Sequence, residues 1–514
     1  MNIINQLIRT GRRRPDAVAL HCGDTAVTFG DLLDRAGRLA ARLTAEGLQP
    51  GDRVAFHLPN SPDWLPAWAG VLQAGGIVVP VNYLFNPTAV RHVAEDSGAS
   101  WFLVADADVP RALDLLDGLP VAERVISTRP AAGACWALSE LGGEPQRAVV
   151  PRLDGAEAMV MYTSGSTGVP KGVRQTHRNT AAQCEAVQQV WSLGPEDHAL
   201  VCTPLFHVGG LQLISLPTLL AGGTVTLMTR WDKRQWVELA VSRRPTLTAL
   251  VPTMMIDVAN DRRDDPLVLE SFRVVAVGGS ALPEGPLRRF SEATGITCVR
   301  NIYGQTEQNG LSATEPLDEP QRTRSLGRPL EQVVEWQVVP LGEREPTPRG
   351  SGVVGELWVR GDAVTPGYWH NPGATADRFT DGWFRTADMV TADADGYLYY
   401  VERTDDLIIS GGENVFPQMV ENHLASSPLI AEVAVIGTPH ERYVQQVTAI
   451  VVPVDPATTA EDVAAWCRTH PDLQGLQRPR RIEIVDELPR TGNSKIDRMS
   501  LKRRYAGSRP TPVG

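Results

Sequence analysis

Twelve consecutive residues, Tyr162-Thr163-Ser164-Gly165-Ser166-Thr167-Gly168-Val169-Pro170-Lys171-Gly172-Val173, gather the groups needed to grip an oligophosphate. Gly165, Gly168 and Gly172 let the backbone approach an anion closely and turn its N–H groups inward. Thr163, Ser164, Ser166 and Thr167 add hydroxyl donors, and Lys171 adds a positive charge. The apolar run Ala158-Met159-Val160-Met161 upstream suits a buried strand, and His177 to Trp191 downstream suits a helix. The expectation is a strand-to-helix loop. It is not a Walker loop, because Val169 and Pro170 stand between Gly168 and Lys171 and a glycine follows the lysine.

Further groups with chemical potential lie downstream. Asn301-Ile302-Tyr303-Gly304-Gln305-Thr306-Glu307 sets a flat ring, a hydroxyl and a carboxylate within a few residues. Taken alone, a Tyr-Gly turn followed by Thr and Glu reads as an ordinary helix entry. Asp388, in Trp383-Phe384-Arg385-Thr386-Ala387-Asp388, reads by itself as a loop capping residue.

The elements that must position these groups follow from apolar spacing. Leu32, Leu33, Ala36, Leu39, Ala40 and Leu43 mark an amphipathic helix that Gly47 can end. Short strand-like runs then alternate with helical ones through Val104, which predicts crossover units on a largely parallel sheet. Thr224–Met228, Leu247–Val251 and Val274–Val277 form a second series, each ending where functional loops of open α/β sheets lie. Between Val333 and Arg360, Val-rich strands without long helices predict a β subdomain. The expected fold is α/β, with a large N-terminal domain of stacked α/β layers over residues 1–404. A small mobile α+β domain is expected over residues 405–514.

The glycine-rich stretch resembles, position for position, the signature loop of the adenylate-forming superfamily, which includes acyl-CoA synthetases, nonribosomal-peptide adenylation domains and firefly luciferase. The resemblance spans about Phe29 to Arg498. It implies that Thr163, Ser164, Gly165, Ser166, Thr167, Gly168 and Lys171 hold the phosphates of ATP. The second motif resembles Y-G-x-T-E, which implies that Asn301, Tyr303 and Gly304 bind the nucleotide, Thr306 touches the α-phosphate and Glu307 holds Mg²⁺. Asp388 falls on the ribose-binding aspartate, with Ala387 where the family has glycine. In Arg403-Thr404-Asp405-Asp406 the resemblance implies that Arg403 reaches the nucleotide and Asp405 is the pivot of a domain rotation. Lys495, in Leu488-Pro489-Arg490-Thr491-Gly492-Asn493-Ser494-Lys495, falls on the catalytic lysine, which stabilises charge at the reacting phosphorus. Ser494 replaces the usual glycine. His207 falls on the residue lining the acyl site, and Gly279 and Ser280 on the loop beneath adenine. Thr253, Met254, Val208, Asn309 and Gly310 complete the expected pocket wall.

The implied first reaction joins a small carboxylate substrate to ATP as acyl-AMP, releasing pyrophosphate. Ser410-Gly411-Gly412-Glu413-Asn414-Val415 resembles the segment that forms a CoA tunnel in the second step. Two other stretches depart from the ligase pattern: Val444-Gln445 stands where Gly-Glu is common, and Leu476-Gln477-Arg478-Pro479 lacks a Tyr-Lys pair. CoA therefore leads as acceptor, with a carrier-protein thiol, an amine or nitrite as alternatives. Retention of Glu307, Asp388, Arg403 and Lys495 argues against a non-catalytic nucleotide binder.

Composition narrows the partners. The 514 residues exceed one core's usual span, and 42% hydrophobic content supplies more than one. A net charge of −11 opposes general nucleic-acid binding, which needs a basic face. No window reaches the apolar length of a membrane span, and Arg9, Arg12, Arg13 and Arg14 lack the apolar run of a targeting signal. Six scattered cysteines fit reduced thiols in a cytoplasmic protein, with neither zinc nor a disulfide framework implied.

Overall fold

The structure, a computed structural model, describes residues 2–163, 169–279, 284–322, 324–410, 413–490 and 496–505, without the side chains of Asp405, Glu413 and Asn414. It divides into two compact units. The first comprises Met1–Trp336 with Val359–Phe384, and the second Gln337–Trp358 with Arg385–Gly514. On packing, the segments ahead of Arg403 from Gln337–Trp358 and from Arg385 onward group with the C-terminal residues.

The first unit carries two sheet regions. In one, the strands run in the order Trp136–Ala137, Val125–Ser127, Trp101–Val104, Arg53–His57, Ile77–Pro80, Glu157–Thr163 and Lys171–Thr176. All neighbours are parallel except the last pair. Such strands are covered on both faces, so they read as runs of Val, Ile and Phe. Here the structure corrects the strand-to-helix reading of the glycine-rich stretch. That stretch joins two antiparallel strands, with Thr163 opposite Lys171 and Met161 opposite Val173, and the helix His177–Val190 starts only after the second. Lys171–Thr176 alternates half-buried Lys171 and Arg174 with buried pairs, a pattern hidden in the sequence by its polar residues.

In the other region, Val18–Cys22, Thr224–Leu227, His198–Val201, Leu247–Leu250, Val274–Gly278 and Val299–Tyr303 lie side by side and parallel. Their crossover helices pack into a core containing Trp236, Phe272, Phe290, Met255 and Val277. Burying each such side chain contributes about 1.5–3 kcal/mol before conformational entropy is set against it. The helix Trp64–Gln73 is buried on every side, as its continuous apolar sequence requires. Phe29–Ala45, predicted from its spacing, begins at a capping box between Thr28 and Asp31.

In the second unit, Glu413–Val415, Ile408–Ser410, Val444–Pro453 and Ile430–His440 form an antiparallel sheet, with Arg481–Ile484 added parallel to Val444–Pro453. Val435, Ala449 and Val451 bury against Val420, Leu424, Val463 and Cys467 of two helices. Ala434, Ile436 and Ile450 bury against Leu501 and Tyr505. Alternate residues of one strand thus serve two cores, as the period of two demands. Four of the six cysteines are buried, Cys298 is half-buried and Cys135 exposed, and all are free thiols. Among the described residues no helix is long and apolar enough to cross a membrane.

Candidate active site

Strand order explains how residues far apart in sequence converge. Four adjacent parallel strands release the loops that begin at Thr203, Pro252, Gly279 and Gly304, all at their carboxyl ends, where open α/β sheets bind ligands. His207, Val208, Gly279 and Gly304 to Gly310 ride on these segments, Met254 sits in the first turn of the helix Pro252–Asp261, and Tyr303 ends its strand. Two of the loops require glycine for close approach. A Cβ on Gly304 would stand 1.5 Å from the Gly310 carbonyl oxygen, and one on Gly210 would stand 2.2 Å from that of Pro204.

Thr306–Gln308 is a single 3₁₀ turn closed by Asn309 in the left-handed region at φ +55°. Asn309 holds that conformation with its amide donating to the Ala363 carbonyl at 2.9 Å. The turn is tied to the strand that leaves the glycine-rich stretch. Gln175, fully buried on that strand, donates from Nε2 to the Thr306 carbonyl at 3.1 Å and accepts from Gln212 Nε2 at 2.5 Å. Gly172 accepts from Trp369 N at 2.7 Å, and Val173 bridges Tyr368. Tyr368 in turn donates its phenol hydroxyl to Glu307 Oε1 at 2.8 Å, and Thr365 N donates to the Glu307 carbonyl at 2.7 Å. Glu307 is therefore held by two hydrogen bonds, one to its side chain from Tyr368 and one to its carbonyl from Thr365. Its Oε2 has no protein partner among the described residues. One oriented, half-exposed carboxylate with an open oxygen fits a Mg²⁺ ion that takes its other ligands from phosphates and water.

Thr163 and Lys171 face each other, half-exposed, at the ends of the paired strands. Tyr162 anchors that base by donating to Asp96 at 2.5 Å, and burial beside the carboxylate pushes its phenol well above its ordinary pKa. Ser164, Gly165, Ser166, Thr167 and Gly168 lie outside the described residues, as do Ser280 and Lys495. The flanks of Lys495 are joined by a bridge between Arg490 and Ile496 and by Asp497 N donating to the Pro489 carbonyl at 2.7 Å. Gly279 sits at φ +85°. His207 is exposed, with Nδ1 accepting from Gly209 N at 3.2 Å. Asn301 is expected among the nucleotide contacts. It is buried with its amide on the Ser325 carbonyl, so it holds the strand that carries Tyr303.

In the second unit, Asp388 and Arg403 are register partners in antiparallel strands, joined by a hydrogen bond of 3.1 Å. Asp388 is 4% exposed. Ala387 keeps the backbone of the glycine it replaces, at φ +61°, and its N–H donates to Glu356 Oε1 at 3.0 Å. Glu356 also accepts from Arg385 Nε and Trp358 Nε1, both at 3.0 Å, so one buried carboxylate shapes the turn before Asp388. Beside Arg403, burial raises Glu402 to about 7, although it accepts N–H bonds from Arg403 and Gln418. Tyr368, Gln175, Glu356 and Glu402 all escaped the sequence reading. Each acts from a point remote from its motif or through the backbone, and no local spacing marks it.

The model of the AMP-binding enzyme family matches residues 7–369, and that of its C-terminal domain matches residues 419–495. The chain belongs to the AMP-binding enzyme family. Within it, the chain is 37% identical over 500 residues to a feruloyl-CoA synthase of Amycolatopsis sp, covering 97% of this chain and 98% of that protein. Among solved structures it resembles ATP-bound MatB from Rhodopseudomonas palustris, at 28% identity and TM-score 0.89, over 99% of both chains. It also resembles the o-succinylbenzoate CoA synthetase MenE from Bacillus subtilis in complex with its acyl-adenylate intermediate, at 27% identity and TM-score 0.84, over 99% of both chains. The family membership matches the expectation drawn from the twelve-residue stretch.

Proposed function

We infer that the chain is an ATP-dependent, AMP-forming ligase that activates a small carboxylic acid as its acyl-adenylate and passes the acyl group to CoA. The observation that carries this reading is the stitched turn. Tyr368 and Gln175 fix Glu307 and Thr306 to the strand that emerges from the glycine-rich stretch, which supports a carboxylate and a threonine acting on phosphates held by that stretch. The likeness to CoA ligases over the full chain supports the acceptor, and the feruloyl-CoA synthase relative supports an aryl acid.

In the first step a carboxylate oxygen of the substrate attacks the α-phosphorus and pyrophosphate leaves. Residues 163–168 and Lys171 would hold the departing phosphates, Thr306 would contact the α-phosphate, and Glu307 would hold Mg²⁺, which would supply neutralisation of phosphate charge. Asp388 and Arg403 fix the ribose, and Lys495 stabilises charge on the pentavalent phosphorus. In the second step the CoA thiol, having lost its proton, attacks the acyl carbon, and AMP leaves with the electron pair of the broken C–O bond. Asp405, in the 3₁₀ turn Thr404–Asp406, is the pivot between the steps.

The Val444-Gln445 departure from the ligase pattern is compatible with this reading. Gln445 Oε1 accepts the Ile409 N–H at 3.0 Å, a task that a glutamate oxygen performs equally well. Val444 keeps a glycine-like backbone at φ +67°. The test is pyrophosphate release and product mass with MgATP over benzoic, cinnamic, amino-aryl and fatty acids, each with and without CoA. A CoA thioester from one class supports the reading. Turnover that ignores CoA and follows another nucleophile overturns the second step.

A further inference from the structure

We propose that the side-chain amide of Gln183 is a specificity-determining group of the acyl site, selecting aryl acids that carry a hydroxyl or ether oxygen remote from the carboxylate. The proposal rests on the ligase reading above and names its substrate class.

Gln183 lies in the helix His177–Val190, fully buried. Its Nε2 and Oε1 both lack a hydrogen-bond partner among the described residues. Buried polar side chains are satisfied in the large majority of cases, and an amide offers two donors and two acceptor lone pairs. An amide with nothing bonded at either end is a group waiting for a polar guest. Its position says which guest. A Cβ built on Gly310 would lie 3.8 Å from Val208 Cβ and 4.0 Å from Gln183 Nε2, so these three residues border one space. Val208 follows His207 on the acyl-site loop, and Gly310 follows Asn309, which closes the turn that carries Glu307. Gly310, at φ +118°, contributes no side chain there.

The helix cannot swing Gln183 elsewhere. Its first turn is fixed by a capping box between Thr176 and Asn179, and Asn179 also donates to the carbonyls of Asp362 and Val364 at 2.7 and 2.9 Å. A phenolic hydroxyl donates to Oε1 or accepts from Nε2, and a neighbouring hydroxyl and ether together engage both. A hydrocarbon end engages neither and leaves the amide stranded, the situation in which sites built around hydrogen bonds discriminate strongly.

The test compares wild type with Gln183→Leu and Gln183→Met on 4-hydroxycinnamate, 4-hydroxy-3-methoxycinnamate, cinnamate and hexanoate. Pyrophosphate release and thioester formation are measured separately, together with thermal unfolding. Wild type is expected to favour the oxygenated acids over cinnamate by about 10-fold or more. Gln183→Leu is expected to lose about 10- to 100-fold in kcat/KM on them, chiefly through KM, while cinnamate stays within about threefold. Its melting temperature should hold or rise, because the substitution removes an unsatisfied group. Equal losses on all acids, or a wild type indifferent to the oxygen, overturn the proposal. Gln183→Met supplies the comparison if the leucine variant fails to fold. Acid selectivity is read from pyrophosphate release alone, so missing thioester overturns the CoA reading while discrimination at the first step still supports Gln183.

Discussion

Tyr368→Phe removes one hydroxyl from a position that never meets substrate in the proposed mechanism, yet it should change how the enzyme uses Mg²⁺. The hydroxyl donates to Glu307 Oε1 at 2.8 Å from a residue only 8% exposed. A bond to an ionised carboxylate contributes roughly 1.5–3 kcal/mol when fully desolvated. Glu307 is half-exposed, so the lower end applies, about 1–1.5 kcal/mol, or about 5- to 10-fold in an equilibrium constant. The backbone of Glu307 stays fixed by Thr365 N, which confines the change to its side-chain rotamer. The assay is the initial rate of pyrophosphate release at saturating ATP and acid, titrated with free Mg²⁺. Half-saturation should move up by about 5- to 10-fold, at or below the low end of the roughly 10- to 100-fold losses that follow removal of partners orienting a metal ligand. A Mg²⁺ curve superimposable on wild type would refute the view that Tyr368 aims a metal-binding carboxylate.

Val444→Gly should stabilise the protein. An exposed valine at φ +67° carries about 1–2 kcal/mol of strain, against about 0.5–1 kcal/mol of extra chain entropy in the glycine variant, so urea unfolding should show a net gain of about 0.5–1 kcal/mol. A loss would show that the strain is relieved elsewhere. Glu402 should make stability depend on pH. Burial raises it to about 7 in the folded state from 4.5, so the folded chain holds the proton more tightly. Stability then falls as pH rises from 4.5 through 7, by about 3 kcal/mol in all, and Glu402→Gln should lack that component in unfolding measured at pH 5.5 and 8. Identical pH profiles for the two proteins would remove Glu402 as its source.

Much of the fold and the family could be read from the sequence because the informative features are local. Alternating apolar runs specify crossover units, and the twelve residues from Tyr162 specify a phosphate-binding family. The misreading at Lys171–Thr176 arose where polar residues occupy a buried hairpin strand, so periodicity no longer signals burial. Supporting residues were illegible for a different reason. Tyr368 stands 61 residues from Glu307, and Gln175 stands 131 residues from Thr306; only strand order brings them together. Glycine positions were legible in part. Ala387 and Val444 break the residue pattern, but both keep the left-handed backbone that the pattern encodes. A substitution that looks like lost function in sequence is therefore, at these two sites, a retained conformation carried at some cost in strain.

The central claim is that activation proceeds through an acyl-adenylate which CoA then consumes. Rapid quench of enzyme with MgATP and 4-hydroxy-3-methoxycinnamate, followed by mass analysis, tests it most directly. Without CoA, acyl-AMP and pyrophosphate should form in amounts close to the enzyme concentration, and a CoA chase should convert the adenylate to thioester and AMP. Formation of ADP and phosphate, or an adenylate that persists through the chase, would contradict the account.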